Sequence, residues 1–428
     1  MTKNIAFLTM GCAKNEADSA HMQQDLIRAG YNIVALEEPS DCIVVNTCSF
    51  IQSATEESLD AIFEVAGYDR VKAGDTKLVV CGCLPSRYGE DLDTELSEAD
   101  RIVPCANEDD IVQIMDGLFG ESSQKDRYEV AFDYAPSEYV KISDGCNRFC
   151  SFCTIPYIRG RYHSFEYDQV FAEVKAMVES GTKEIVLIAQ DSGIWGLDLK
   201  PRRTLAWLLD QLAGSFPSTW FRVMYLQPAG LTDELLDVVA SHDNICKYFD
   251  IPLQHCNPDI LASMNRQGSR EEYEDMVKRI RRRVPSVAIR TTLIAGYPGE
   301  TEEQFDELCD FVEEAEFDYV GIFAYSPEDG TPAATMPNQI DEDTKQDRVR
   351  QLRDIADSVS AHLIAERTGT AMDILVLGEE EDGQLYGRAQ CQAPDVDGVT
   401  YLTCGEVGQF QNVTIGDTLM YEMEALGE

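Results

Sequence analysis

Short runs of β-branched and apolar residues, each closed by a polar or glycine-containing turn and followed by a helical stretch, recur from Ile5 to Phe323. This alternation constrains the fold more than any other feature. Strands separated by helices pair in parallel, and a parallel sheet takes its ligands beyond the C-terminal ends of its strands. Residues 5–8, 42–46 and 77–81 read as strands of one such sheet, with helices over about 16–29, stopped by Gly30, and about 54–66. A polar, turn-rich stretch follows at about 120–137. The alternation then resumes: 140–142, 184–188, 222–225, 248–251, 288–294 and 319–323 read as six further strands. They predict a partial β/α barrel with its chemistry at the strand C-termini. One of its helices is announced by the capping box Thr301-Glu302-Glu303-Gln304, with Phe305, Leu308, Phe311 and Val312 on one face. A charged helix spans about 341–366. After Gly369 the pattern changes to short strands, 371–377, 385–390, 399–402 and 418–422, separated by turns such as Asp382-Gly383 and Asp397-Gly398, which predicts a small all-β barrel.

The expected organisation is therefore an α/β multidomain protein: an N-terminal parallel-sheet domain (1–120), a linker (121–138), a partial (β/α)6 barrel (139–365) and a C-terminal all-β barrel (366–428). The chain's 428 residues exceed what one core ordinarily holds. No run reaches the roughly 18 apolar residues of a membrane span, and the start has no basic n-region or small-residue cleavage site. A cytoplasmic protein without a membrane role is expected. Its 14 cysteines are then unlike a disulfide framework, because the cytosol keeps thiols reduced; metal ligation and catalysis are the usual reasons to cluster them.

The clustered ones are Cys146, Cys150 and Cys153, in Cys146-Asn147-Arg148-Phe149-Cys150-Ser151-Phe152-Cys153, directly after a strand. Three thiolates on one loop can bind three irons of a cubane cluster and leave the fourth iron open. The open iron can chelate the amino and carboxylate groups of S-adenosylmethionine, and an electron passed to the sulfonium releases a 5′-deoxyadenosyl radical. Structural zinc would want four ligands, commonly as paired CxxC, and no second pair lies nearby. Cys12, Cys48 and Cys83 each follow a strand of the N-terminal sheet. Taken alone they suit small core residues as well as ligands, and Cys81 competes with Cys83. Polar residues at the other strand ends, Gln190, Asp191, Asp250, Gln254 and Arg290, with Gly296 and Gly299, are candidates for binding the cofactor. His255 is a weaker candidate for proton transfer, since a structural histidine is the plainer reading. The remaining eight cysteines read as small buried hydrophobes.

The CxxxCxxC on a first barrel strand resembles the radical S-adenosylmethionine enzymes. The flanking Tyr139-Val140-Lys141-Ile142-Ser143-Asp144-Gly145 and Ile155-Pro156-Tyr157-Ile158-Arg159-Gly160 are similar to their methylthiotransferase branch. The resemblance spans almost the whole chain. It implies a second [4Fe-4S] cluster on Cys12, Cys48 and Cys83, with the family's Gly-Cys string falling on Gly82-Cys83, and a C-terminal barrel of the TRAM type. It also implies that one S-adenosylmethionine methylates a sulfur at the second cluster, while another yields the radical that prepares the substrate carbon. A low-potential electron donor is required. Two departures stand out: Cys81 replaces the more usual residue before Gly82, and the segment after Arg161 is less typical.

Members of this branch modify either a tRNA adenosine or the β-carbon of an aspartate in small-subunit ribosomal protein S-twelve. The charge bears on the choice. With 35 basic and 77 acidic residues the chain carries −42, and residues 366–428 hold thirteen acidic side chains against two basic. A tRNA-gripping barrel needs a basic face; an acidic one suits a basic ribosomal protein. A general acidic bias serving solubility would leave the same composition. Residues 387–398, 325–331 and 250–255 also resemble the ribosomal-protein enzymes. That substrate is the expectation; a tRNA substrate and a non-enzymatic iron–sulfur protein docked on ribosomes are the alternatives.

Overall fold

The structure, a computed structural model, describes residues 2–120, 132 and 134–427. The expected linker lies mostly outside them. The N-terminal domain is a five-stranded parallel sheet: β1 (Asn4–Thr9), β2 (Asn32–Val34), β3 (Cys42–Thr47), β4 (Lys77–Gly82) and β5 (Arg101–Pro104), in the order β2-β1-β3-β4-β5. Two of these strands, β2 and β5, were not anticipated; at three and four residues on the sheet edges they carry too little periodicity to read. Alternate side chains face opposite layers. Ile5, Val44 and Val79 pack under Met22, Leu26 and Met115, while Ala6, Ile43 and Val80 pack under Ile62, Val65 and Leu84. The chain winds outward in both directions from β1 and β3, so the crevice between their C-terminal ends is the switch point where such sheets bind ligands.

The central domain carries six parallel strands around a half-barrel: β6 (Ser137–Lys141), then, after a small hairpin of β7 (Ser143–Asp144) and β8 (His163–Ser164), β9 (Glu184–Ile188), β10 (Trp220–Val223), β11 (Tyr248–Asp250), β12 (Ala288–Ala295) and β13 (Tyr319–Ala324). They form two three-stranded groups, β6-β9-β10 and β11-β12-β13, linked by a single bridge between Phe221 and Ile245. Ile185, Leu187, Phe221, Phe249 and Ile289 point outward into the helical layer. The helices start where their caps dictate: Thr204, Thr232, Asn257, Ser269 and Asp341 each accept a backbone N–H, and Thr301 and Gln304 close the expected capping box. Among the described residues no helix is long and apolar enough to cross a membrane.

The C-terminal domain is a closed barrel of β14 (Ala371–Glu379), β15 (Leu385–Ala389), β16 (Thr400–Leu402), β17 (Phe410–Leu419) and β18 (Glu422–Ala425), ordered β14-β15-β16-β18-β17. The expected strand at 418–422 takes in the end of β17, the start of β18 and the turn Met420-Tyr421 between them, with Met420 in a left-handed conformation (φ 55°). Leu419 and Met420 are exposed where the two strands meet (72% and 53%), so the apolar stretch that reads as one strand is the tip of a hairpin. This domain docks on the inner face of the half-barrel. Glu184, fully buried, sits between Arg222 of β10 (2.9 Å) and Arg388 of β15 (2.6 Å). Asp397, also fully buried, bonds Tyr248 and lies 3.3 Å from Arg290.

Candidate active site

The loop 145–162 leaves the half-barrel at the C-terminal end of β6 and is closed at its base by the β7–β8 hairpin. Gly145 makes that closure possible. Its φ is +74°, and a Cβ there would stand 2.4 Å from the Arg161 carbonyl oxygen. The Cys146 N–H donates to Gly160 O (3.1 Å) and the Cys153 N–H to Cys150 O (3.0 Å), while Asn265 holds the carbonyls of Arg148 and Phe149. Cys146 and Cys150 are buried and Cys153 half-buried. Arg266 reaches the Cys150 sulfur at 3.9 Å. Burial pushes the Cys146 thiol up and the Cys153 thiol up to about 12, so each keeps its proton unless a metal replaces it. Among the described residues no three His, Cys, Asp or Glu side chains gather closely enough for a single metal ion. Three thiols on one loop are a donor set that fits a cubane cluster with one iron left open.

Beside this loop opens a cavity of about 550 Å³, lined by Arg148, Cys150, Gln227, Asn265, Arg266 and Gln267, among others. Two of its lining residues carry buried polar atoms without partners, Gln227 Oε1 and Arg266 Nε; Asp191, whose Oδ1 is also unpartnered, meets the lining through Arg148, and its chain neighbour Gln190 has both amide atoms unpartnered. Buried polar groups are normally paired, so a cavity flanked by orphans fits a polar ligand of S-adenosylmethionine's kind. Asp191 accepts from Arg148 Nε (2.6 Å); burial nonetheless holds its carboxyl above the usual range, against the arginine's pull. The other sequence candidates are not among the residues that line this cavity. Asp250 accepts from Tyr225 N–H (3.0 Å) and Arg290 (3.2 Å), and Arg290 turns toward Asp397 of the C-terminal barrel. Gln254 is buried with φ +74° and bridges to Leu293. Gly296 packs against the helix Glu342–Ala365, where a Cβ would meet Lys345 Cγ at 2.5 Å, and Gly299 has open space around it. His255 is fully buried; its Nδ1 accepts from Asn257 N–H (3.0 Å) and its Nε2 lies 3.5 Å from Glu300.

The second set of thiols meets at the β1/β3 switch point. Gly11 packs directly on Cys48, where a Cβ would fall 2.6 Å from the Cys48 Cβ, and its φ is +98°. The Cys12 and Cys83 thiols both donate to one acceptor, Asn15 Oδ1, at 3.8 and 3.9 Å. No sequence pattern singles out Asn15, although it lies one helical turn beyond Cys12. Arg159 stands in the sequence only within the motif Ile155-Pro156-Tyr157-Ile158-Arg159-Gly160. It crosses from the central domain to donate to Asn15 Oδ1 (3.2 Å) and contact the Cys83 sulfur (3.7 Å). The neighbouring Cys83 and burial push the Cys105 thiol up. It and Cys309 are half-buried and Cys404 is exposed, contrary to the expected buried role; Cys404 sits in the bend after β16.

The two cysteine-bearing loops touch. Thr154, next to Cys153, donates to the Phe50 carbonyl (3.0 Å), two residues past Cys48. Glu328, beyond β13, accepts from Gln52 N–H (2.9 Å) and from Arg87 (2.9 Å), and Arg87 holds the Ser49 carbonyl (2.8 Å). Lys141, Asp18, Asp144 and Arg159 form a buried ion-pair network across the same seam. The loops that carry the two thiol sets thus meet at one interface between the N-terminal and central domains.

Residues 140–312 match the radical SAM superfamily, residues 4–104 the family described as Uncharacterized protein family UPF0004, and residues 368–426 the TRAM domain. The ribosomal protein uS12 methylthiotransferase RimO of Clostridioides difficile (strain 630) is 39% identical over 434 residues, covering 98% of this chain and 97% of the relative. Its namesake from Geobacter sulfurreducens (strain ATCC 51573 / DSM 12127 / PCA) is 38% identical over 439 residues, covering 98% of each. Among solved structures, the radical S-adenosylmethionine methyltransferase TsrM from Kitasatospora setae, with cobalamin and a [4Fe-4S] cluster bound, aligns with a TM-score of 0.58. It is 15% identical and covers 78% of this chain and 77% of that one. The cobalamin-dependent radical enzyme OxsB aligns with a TM-score of 0.52 at 12% identity, over 82% of this chain and 56% of that one. These two likenesses speak to the fold alone.

Proposed function

Because this chain belongs to the family of ribosomal protein uS12 methylthiotransferases, which are radical S-adenosylmethionine enzymes, we propose that it methylthiolates the β-carbon of an aspartate in uS12. The observation that carries the reading is the seam just described, where the loops that carry the two cysteine triads meet, with a ligand-sized cavity beside the first triad. In this reading Cys146, Cys150 and Cys153 hold one [4Fe-4S] cluster and Cys12, Cys48 and Cys83 a second. When bound, the first would supply, with S-adenosylmethionine, the radical chemistry that abstracts hydrogen, and the second would supply the methylthio group. The protein's own part is placement. Gln190, Asp191 and Gln227 offer unpaired polar atoms to the cofactor's polar groups. Arg148 holds Asp191 in position, Arg266 offsets negative charge at Cys150, and the Thr154 and Glu328 contacts fix the distance between the two loops.

The acidic C-terminal barrel supports a basic protein as substrate. A groove of about 810 Å³ on it is lined by Glu380, Glu381, Asp382 and Glu424 with Tyr401, and it would repel the tRNA backbone. Electrons come from an external low-potential donor. Mass spectrometry of uS12 and of tRNA from a strain lacking this gene tests the assignment. Loss of the methylthio group from the uS12 aspartate is expected; its persistence, with loss of a tRNA modification, overturns the substrate.

A further inference from the structure

Arg159 lies six residues beyond Cys153 on the loop that carries the first thiol set, yet its guanidinium ends among the second. Its side chain is 2% exposed. One Nη donates to Asp18 (2.7 Å) and approaches Asp144 (3.4 Å); the other donates to Asn15 Oδ1 (3.2 Å) and contacts the Cys83 sulfur (3.7 Å). Asn15 is fully buried, its amide nitrogen fixed to the Thr47 carbonyl (2.8 Å), so its oxygen is a rigid meeting point for Cys12, Cys83 and Arg159. Asp18 and Asp144 are shared with Lys141. The network therefore presents a fixed cation to the second thiol set from the domain that holds the first.

We propose that Arg159 is a positioning residue for the Cys12/Cys48/Cys83 centre: it orients Asn15 between two of the thiols and sets the charge felt by a cluster bound there. Hydrogen bonds to sulfur and nearby net charge are the protein's means of tuning an iron–sulfur potential. A buried cation stabilises the reduced, more negative cluster, so removing it makes reduction harder. Arginine is suited to the place because its planar fork serves several acceptors at once; lysine would keep the charge and lose part of the geometry.

This inference rests on the ligand reading of Cys12, Cys48 and Cys83, and the test separates the two. The full-length chain with Cys146, Cys150 and Cys153 replaced by alanine is loaded anaerobically with iron and sulfide, and its remaining cluster is titrated by EPR. Absence of any cluster overturns the ligand reading, and Arg159's role with it. With the cluster present, Arg159→Met should lower the reduced-to-oxidised ratio at the parent's midpoint at least tenfold, about 59 mV for one electron. Arg159→Lys should recover most of that change. Asp18→Asn, which removes the arginine's counter-charge, should shift the ratio the other way and serves as the measurement if the methionine variant does not fold. A ratio within twofold of the parent in Arg159→Met, or in Asp18→Asn where that variant stands in, overturns the inference. So does an equal loss in the lysine and methionine variants.

Discussion

Replacing Glu184 with glutamine should loosen the C-terminal barrel from the half-barrel, and the structure sets the size of the effect. Glu184 is fully buried, with one oxygen 2.9 Å from Arg222 and the other 2.6 Å from Arg388 and 2.8 Å from Ser137 Oγ. Burial alone would raise its carboxyl, but the charges of Arg388 and Arg222 overcome that and hold it at about 2, against an ordinary 4.5. A fall of that size corresponds to about 3 kcal/mol at 1.36 kcal/mol per unit. The folded value is depressed, so this stability is fully present above pH 4.5 and is lost as the pH falls toward 2. Glutamine keeps the shape and leaves two buried guanidinium groups without their counter-charge, a change that typically costs about 3–5 kcal/mol. Urea unfolding should follow the interface through the fluorescence of Trp220, which packs on Phe410 of the C-terminal barrel at 4.6 Å between centroids. The gap between wild type and Glu184→Gln should be about 3 kcal/mol at pH 7 and shrink to about half by pH 3. A gap under about 1 kcal/mol at pH 7, or one unchanged between pH 5 and 3, would refute the reasoning.

Alanine at Cys146, Cys150 and Cys153 should halve the iron from about eight to about four atoms per chain and abolish 5′-deoxyadenosine release, whereas alanine at Cys12, Cys48 and Cys83 should halve the iron and keep that release without methylthiolated product. Iron analysis and chromatography of the nucleoside decide both. Gly145→Ala should cost about 1–3 kcal/mol in thermal unfolding, because φ +74° and a 2.4 Å approach to the Arg161 oxygen both oppose a Cβ; an unchanged Tm would contradict the proposed loop closure. Neutralising Glu380, Glu381, Asp382 and Glu424 together should slow association with uS12 at least tenfold at low salt and flatten its salt dependence. Stopped-flow measurement at two ionic strengths checks this, and an unaltered rate would locate the basic partner elsewhere.

Much of the architecture was legible because its signals are local. Strand–helix alternation, caps at Thr301 and Asp341, and Gly30 after the first helix are written in stretches of a few residues, and the helices begin and end close to where these place them. Edge strands β2 and β5 escaped because three or four residues carry no usable period, and the turn at Met420 escaped because exposed Leu419 and Met420 imitate a strand. The partners of the strand-end residues are not local either: Asp191 meets Arg148 of the cysteine loop, while Arg290 reaches Asp397, a residue over a hundred positions later that no local pattern could pair with it.

What the sequence determined by itself is the chemistry of one loop: three cysteines within eight residues stay near one another whatever the rest of the chain does. The second set could only be listed from sequence, since Cys12, Cys48 and Cys83 are separated by whole strand–helix units. Tertiary structure brings them together, because β1, β3 and β4 are neighbours in a parallel sheet and all three end at the same crevice. It also decides which surface faces that crevice. Arg159, Thr154 and Glu328 meet their partners 76, 104 and 241 positions away, and contacts at such separations are fixed by the packing of one domain on another, which no run of neighbouring residues records.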